Sequence, residues 1–247
     1  MSEYTFTVNK DCPVCGESTR VVKVKSRLPV TKTDLDFCVH YENFNPYFYR
    51  IWFCEHCGYA ADEKHFLANM SSRKRDKLWQ VLGQHKLAME FTEERGVPEA
   101  VASYMMAIHY AEIVGESYNT LASLHLALAW VYRDSGEKEK EVAEMHRAAD
   151  LYDISLNKER YPIGNMSDDM VIYLVGAIYY MLNEKDKTLQ YLSRLIGDKG
   201  VRVSDRKLYD KVRDLWQDVR AEKEKEKAAK ADSTDKKQAG RTAGRRR

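Results

Sequence analysis

Two cysteine turns in the first quarter of the chain limit its folding more than any other feature. They read Cys12-Pro13-Val14-Cys15-Gly16 and Cys54-Glu55-His56-Cys57-Gly58. A Cys-x-x-Cys turn sets two sulfurs on one side of a tight loop, where both reach the same ion. The Gly after each second Cys lets the chain turn back with a positive φ and frees backbone N–H groups to face the sulfurs. Cys12, Cys15, Cys54 and Cys57 are therefore read as the ligands of one tetrahedral site. Four soft sulfurs favour Zn2+ over magnesium or calcium, with iron the other candidate.

The same cysteines admit two other readings. Disulfides need an oxidising compartment, yet Met1-Ser2-Glu3-Tyr4 opens without a basic or apolar leader pattern. A cytoplasmic chain with thiols reduced is the expectation, and doubled pairs there signal metal. A thioredoxin-like dithiol needs one such pair at a helix start in a βαβ unit, not two on hairpins. A structural zinc ion follows as the expected cofactor.

The residues around the knuckles read as short strands. Tyr4 to Val8 alternates apolar and polar, and Val21 to Val30 alternates again until Pro29 interrupts it. Asp36 to Tyr41 is a further candidate strand, Asn43 to Pro46 a turn, and Tyr47 to Phe53 an aromatic run into the second knuckle. This is a zinc-ribbon layout, in which metal replaces the core that so small a module lacks.

From Asp62 the period becomes helical. Asp62 and Ser71 or Ser72 offer N-caps, Leu78, Leu82 and Met89 share a face, and Pro98 suits the first turn of a new helix. Apolar residues then recur at threes and fours through Val101–Ile108, Leu121–Val131, Val142–Leu156, Met170–Met181, Leu189–Ile196 and Leu208–Val219. Ala100, Tyr104 and Ala107 fit the second helix of a tetratricopeptide unit. Leu128, Ala129, Tyr132, Gly136 and Ala148 fit the next, and Gly176, Tyr179, Leu192 and Leu195 another. Glu141 stands where that pattern wants a small residue, and a plain helical bundle would show similar small residues. The expected fold class is α+β, predominantly α: a small N-terminal β zinc ribbon followed by a TPR-like α-helical hairpin array. The expected divisions are a ribbon over residues 1–61, a helical domain over 62–220 and a charged, disordered tail over 221–247.

Charge narrows the partners. Residues 221–247 carry six Lys and four Arg against five Asp or Glu, a net of +5, so the rest of a chain whose net charge is +2 stands at −3. That body makes no general case for nucleic acid. No apolar run approaches the length of a membrane span.

The second knuckle also carries a family resemblance. Asp36-Phe37, Asn45-Pro46-Tyr47, Tyr49 and Cys54-x-x-Cys57-Gly58-Tyr59-Ala60, after a Cys-Pro-x-Cys-Gly start, resemble the bacterial DUF2225 family. The resemblance is sharp over residues 12–60. It implies a bacterial cytosolic protein with a cysteine-rich N-terminal module and a TPR-like helical region, and it carries no reaction. Cys38 and the charged tail depart from its pattern.

The remaining polar residues have ordinary readings beside sharper ones. Cys38 is read as a small buried hydrophobe, or else a spare ligand or reactive thiol near His40. His56 should point away from the ion; His40 and His65 flank the ribbon, but four thiolates already complete a tetrahedron. Asp36, Asn45 and Tyr49 are candidates for a ribbon surface site, with turn capping the simpler role for Asp36 and Asn45. Lys23, Lys25 and Arg27 form a basic stripe. It is a solvated strand edge or, beside Tyr47, Phe48 and Trp52, a nucleic-acid face. No phosphate loop, nucleophile elbow or zinc-protease helix is present. The expected function is a non-enzymatic adaptor or scaffold that binds a protein partner, with a nucleic-acid-binding zinc ribbon as the alternative.

Overall fold

The computed structural model describes residues 3–82, 94–197 and 205–243. The protein is α+β and predominantly α, with paired strands first and helices after them. It divides into two compact units, Met1–Ile163 and Gly164–Arg247.

In the first unit each cysteine knuckle is the turn of a hairpin. β1 (Thr5–Asp11) pairs antiparallel with β2 (Ser18–Val24), and Asp11 faces Ser18 across the first knuckle. β5 (Ile51–Phe53) pairs with β6 (Ala60–Asp62), and Phe53 faces Ala60 across the second. Between them lies a third hairpin, β3 (Val30–Thr33) with β4 (Val39–Tyr41). The alternation from Val21 to Val30 is therefore split. β2 begins at Ser18 and stops at Val24, and Val30 opens a new strand instead of closing the old one. The aromatic run is also split. Asn45 Oδ1 accepts the Tyr47 N–H at 2.9 Å and starts a 3-10 turn over Pro46–Tyr49, so only Ile51–Phe53 remains extended. Ala60–Asp62 was not expected as a strand; it extends because it is the return arm of the knuckle.

Helices α1 (Glu63–Phe66), α2 (Ser72–Leu82), α3 (Val97–Val114), α4 (Tyr118–Ser135) and α5 (Lys138–Lys158) complete this unit. The caps fall where the side chains allow them. Asp62 accepts the His65 N–H at 2.9 Å, Ser117 caps α4 through Thr120, and Pro98 sits in the first turn of α3. Met89 lies outside the described residues. α3 and α4 lie against each other, as do α4 and α5. One apolar core runs from Cys12, Val14 and Val21 through Trp52, Phe66 and Leu78 to Tyr104, Leu128 and Tyr132. The ribbon is thus packed on the helices; the Tyr104 hydroxyl, fully buried, donates to the Tyr47 carbonyl at 3.1 Å.

The second unit holds α6 (Asp168–Met181), α7 (Lys185–Ile196) and α8 (Arg206–Ala243). Gly176 lets α6 and α7 approach closely: a Cβ there would stand 3.0 Å from Leu192 Cδ2. Leu208, Val212, Leu215 and Val219 bury one stripe of α8. Beyond Val219 the helix continues through Lys, Glu and Ala, all strong helix formers. Its early turns are tied back by Tyr180 to Glu222 at 2.8 Å and by Lys185 to Glu222 at 2.7 Å.

Candidate metal centre

The two hairpin turns bring Cys12, Cys15, Cys54 and Cys57 together, with all four sulfurs within 4.8 Å of one another. Cys12 Sγ lies 3.6 Å from Cys57 Sγ, and Cys15 Sγ lies 3.7 Å from Cys54 Sγ. A tetrahedron with metal–sulfur bonds of about 2.3 Å has edges of about 3.8 Å. Two of the six edges thus match a tetrahedron around one cation, and the other four are no longer than 4.8 Å. None is in a disulfide.

Local backbone geometry explains the convergence. The Gly16 N–H donates to the Cys12 carbonyl at 2.9 Å and the Gly58 N–H to the Cys54 carbonyl at 2.8 Å, closing each turn. Gly16 and Gly58 have φ of +80° and +81°, the left-handed region that side chains disfavour. Backbone N–H groups of Val14 and Cys15 point at the Cys12 sulfur, those of His56 and Cys57 at Cys54, and that of Tyr59 at Cys57. Such donors stabilise thiolates. Cys12 and Cys54 are buried, while Cys15 and Cys57 are partly covered. The knuckles are also tied together, because the Thr19 hydroxyl accepts the Glu55 N–H at 3.1 Å.

Crowding divides the thiols among themselves. The Cys12 thiol is pushed up to about 12, first by its bond to Cys54. The neighbouring sulfurs of Cys12 and Cys54 push Cys57 upward as well, whereas Cys54 is held down because Cys12 and Cys57 share protons with it. A divalent cation at the centre would replace those shared protons and satisfy every sulfur at once. The donor set therefore fits a soft, tetrahedral metal ion with no coordination position left for water.

The other sequence candidates fall elsewhere. His56 sits beside the cage, but its ring bonds the Ser18 carbonyl at 3.0 Å. His65 is bound to Asp62 at 2.7 Å. Lys23 donates to Glu63 at 2.7 Å and lies 5.6 Å from the centre of the Trp52 ring, while Lys25 donates to the Glu3 carbonyl at 2.6 Å. Tyr49 is buried, and its hydroxyl accepts the Arg95 N–H at 3.2 Å.

Asp36 has a role that its sequence surroundings did not reveal. It does cap its turn, accepting the Cys38 N–H at 3.2 Å, but it is wholly buried. Arg133 of α4 grips it with Nη1 at 3.2 Å and Nη2 at 2.8 Å, and Trp130 Nε1 donates to it at 2.9 Å. Arg133 Nη1 also reaches Asp34 at 3.0 Å, and its Nε reaches Glu141 at 2.7 Å. Glu141, the misfit in the repeat pattern, is therefore a buried acceptor for this guanidinium. That misfit was the only sequence sign of the cluster.

These features meet the family that the sequence resembles. A family described as "Uncharacterized protein conserved in bacteria (DUF2225)" matches residues 6–219. The chain belongs to that family. No curated protein and no solved structure matched it. Among the described residues, no helix is long and apolar enough to cross a membrane.

Proposed function

We propose that the protein is an adaptor in the bacterial cytosol whose N-terminal lobe is held by one structural zinc ion and which binds a protein partner without catalysis. Zinc is the ion because four sulfurs at tetrahedral spacing suit it and leave no site for a substrate or water. The observation that carries the interaction reading is the outer face of α2. Trp79 is 52% exposed there, one turn beyond the exposed Arg75. Arg75 Nε also bonds the Pro13 carbonyl of the first knuckle at 3.2 Å, so the metal turn helps to set this face. Trp and Arg are the side chains most enriched at binding hot spots. Their combination suits an acidic segment that carries an apolar side chain.

The nucleic-acid alternative has less support at its original place. Lys23 and Lys25 have internal partners, and Trp52 is buried beneath Lys23, where no base can stack on it. A photoreactive residue at the exposed position 80 tests both readings in cells. We expect one protein to be crosslinked, through a net-acidic segment, with the product lost on Arg75→Glu and on Trp79→Ala. A crosslink to RNA alone would select the alternative, and a protein product unchanged by both substitutions would refute the role of α2.

A further inference from the structure

The β3–β4 hairpin gathers a second, different set of metal-ligating side chains. Asp34 follows β3, Cys38 precedes β4, and His40 lies within it. The turn is tight: the Asp34 N–H donates to the Cys38 carbonyl at 2.8 Å, and the Phe37 N–H to the Asp34 carbonyl at 3.1 Å. An Asp34 carboxylate oxygen, the Cys38 sulfur and a His40 ring nitrogen all fall within 4.8 Å of one another. Tetrahedral zinc with one sulfur, one nitrogen and one oxygen needs donors about 3.3–3.7 Å apart.

Charge at this place also favours a cation. Asp34, Asp36 and Glu141 face a single guanidinium, Arg133. The lysines that assist them are largely solvated, with side-chain exposures of 63% for Lys32 and 70% for Lys138. The covered part of the cluster thus carries two more negative than positive charges. A divalent ion together with a Cys38 thiolate halves that excess. Arg133 would then be the outer partner that orients the Asp34 carboxylate, as bound carboxylates generally require.

We propose that Asp34, Cys38 and His40 form a second, exchangeable site for a borderline divalent cation, zinc foremost, with solvent in the fourth position. A cavity of about 40 Å³ lined by Cys38, His40, Tyr47 and Trp130 adjoins two of the three donors. One water needs only about 10–15 Å³ of such space. His40 Nε2 and Asp34 Oδ2 lie 2.5 Å apart around a shared proton. Binding releases the Cys38 thiol proton, and the neutral imidazole moves its proton to its other nitrogen so that Nε2 can face the ion; no oxidant or reductant takes part. Three protein ligands and one open position set this site apart from the closed tetrathiolate cage. The proposal is independent of the adaptor reading.

The test uses the full-length protein in zinc buffered at rising free concentration, with metal per chain measured by mass spectrometry. We expect two ions in the wild type and one in Cys38→Ser and in His40→Asn, the second ion leaving first on dialysis against a chelator. Cobalt(II) added to protein that retains only its tight ion reports on the wild type alone, through a sulfur-to-cobalt charge-transfer band. A wild type that saturates at one ion, two ions in both variants, or no such band would each overturn the site.

Discussion

The knuckle cage and the Arg133 cluster both join segments far apart in the chain, but they do so by opposite chemistry. The cage links residues 45 positions apart through soft sulfurs that need a cation the chain does not itself supply. The Arg133 cluster links residues 97 positions apart through hard charges that the chain itself carries. Removing one member of each should therefore have different consequences. A cage that has lost a ligand loses its ion and the closure of both hairpins. A charge cluster that has lost its cation keeps its shape but holds an uncompensated carboxylate in the core.

The largest effect should come from the cage. Structural zinc contributes about 10–16 kcal/mol to folding in zinc-finger peptides. Cys54, wholly buried, is the most enclosed ligand. In Cys54→Ser we expect the metal to be lost and hydrogen-exchange protection to vanish from β1, β2, β5 and β6, while α6 and α7 of the other unit keep theirs. Retained protection in the strands would show that the hairpins close without an ion.

A smaller effect should follow from Arg133→Met. It leaves Asp36, with no exposure, with only the neutral donors Trp130 Nε1 and the Cys38 N–H. Breaking a buried pair in this way costs about 3–5 kcal/mol. Chemical denaturation should show that loss, and Asp36→Leu in the same chain should recover a large part of it, since replacing both charges removes the stranded one. A single substitution that costs no more than an exposed ion pair would place the cluster in water.

The smallest effect is one of pH, at a contact outside both regions. The His65 pKa is raised, first by its bond to Asp62 and further by the Asp62 and Glu116 charges, against burial and Lys64. A folded-state value above the unfolded one stabilises fully below about pH 6.5 and fades as pH rises through the folded value. The difference in stability between wild type and His65→Gln should therefore shrink between pH 6 and pH 8, by about 1 kcal/mol or less for a pair that keeps some contact with water. A difference independent of pH would assign His65 a packing role only.

The two regions also differ in how far the sequence announces them. The cage was legible because its chemistry is written locally: two short turns, each with its glycine, name all four ligands, and only their convergence had to be inferred. The Arg133 cluster was not legible. Asp36 reads as a turn cap and is one, while its main partner sits on a helix that no local pattern connects to it. Helices were readable wherever a stripe had a start signal, as at Asp62 and Pro98. Strand limits were not, because β5 and β6 are only three residues each and their extent is set by the knuckle between them. Period-two alternation could not place the break between Val24 and Val30, where one hairpin ends and another begins.

The central claim is that four sulfurs from two hairpin turns enclose a single zinc ion. X-ray absorption at the zinc edge, on protein dialysed until only its tightest ion remains, tests it most directly. The account predicts one zinc per chain with four sulfur neighbours at about 2.3 Å. A first shell containing nitrogen or oxygen at about 2.0 Å, or protein that folds its strands with no metal at all, would contradict it.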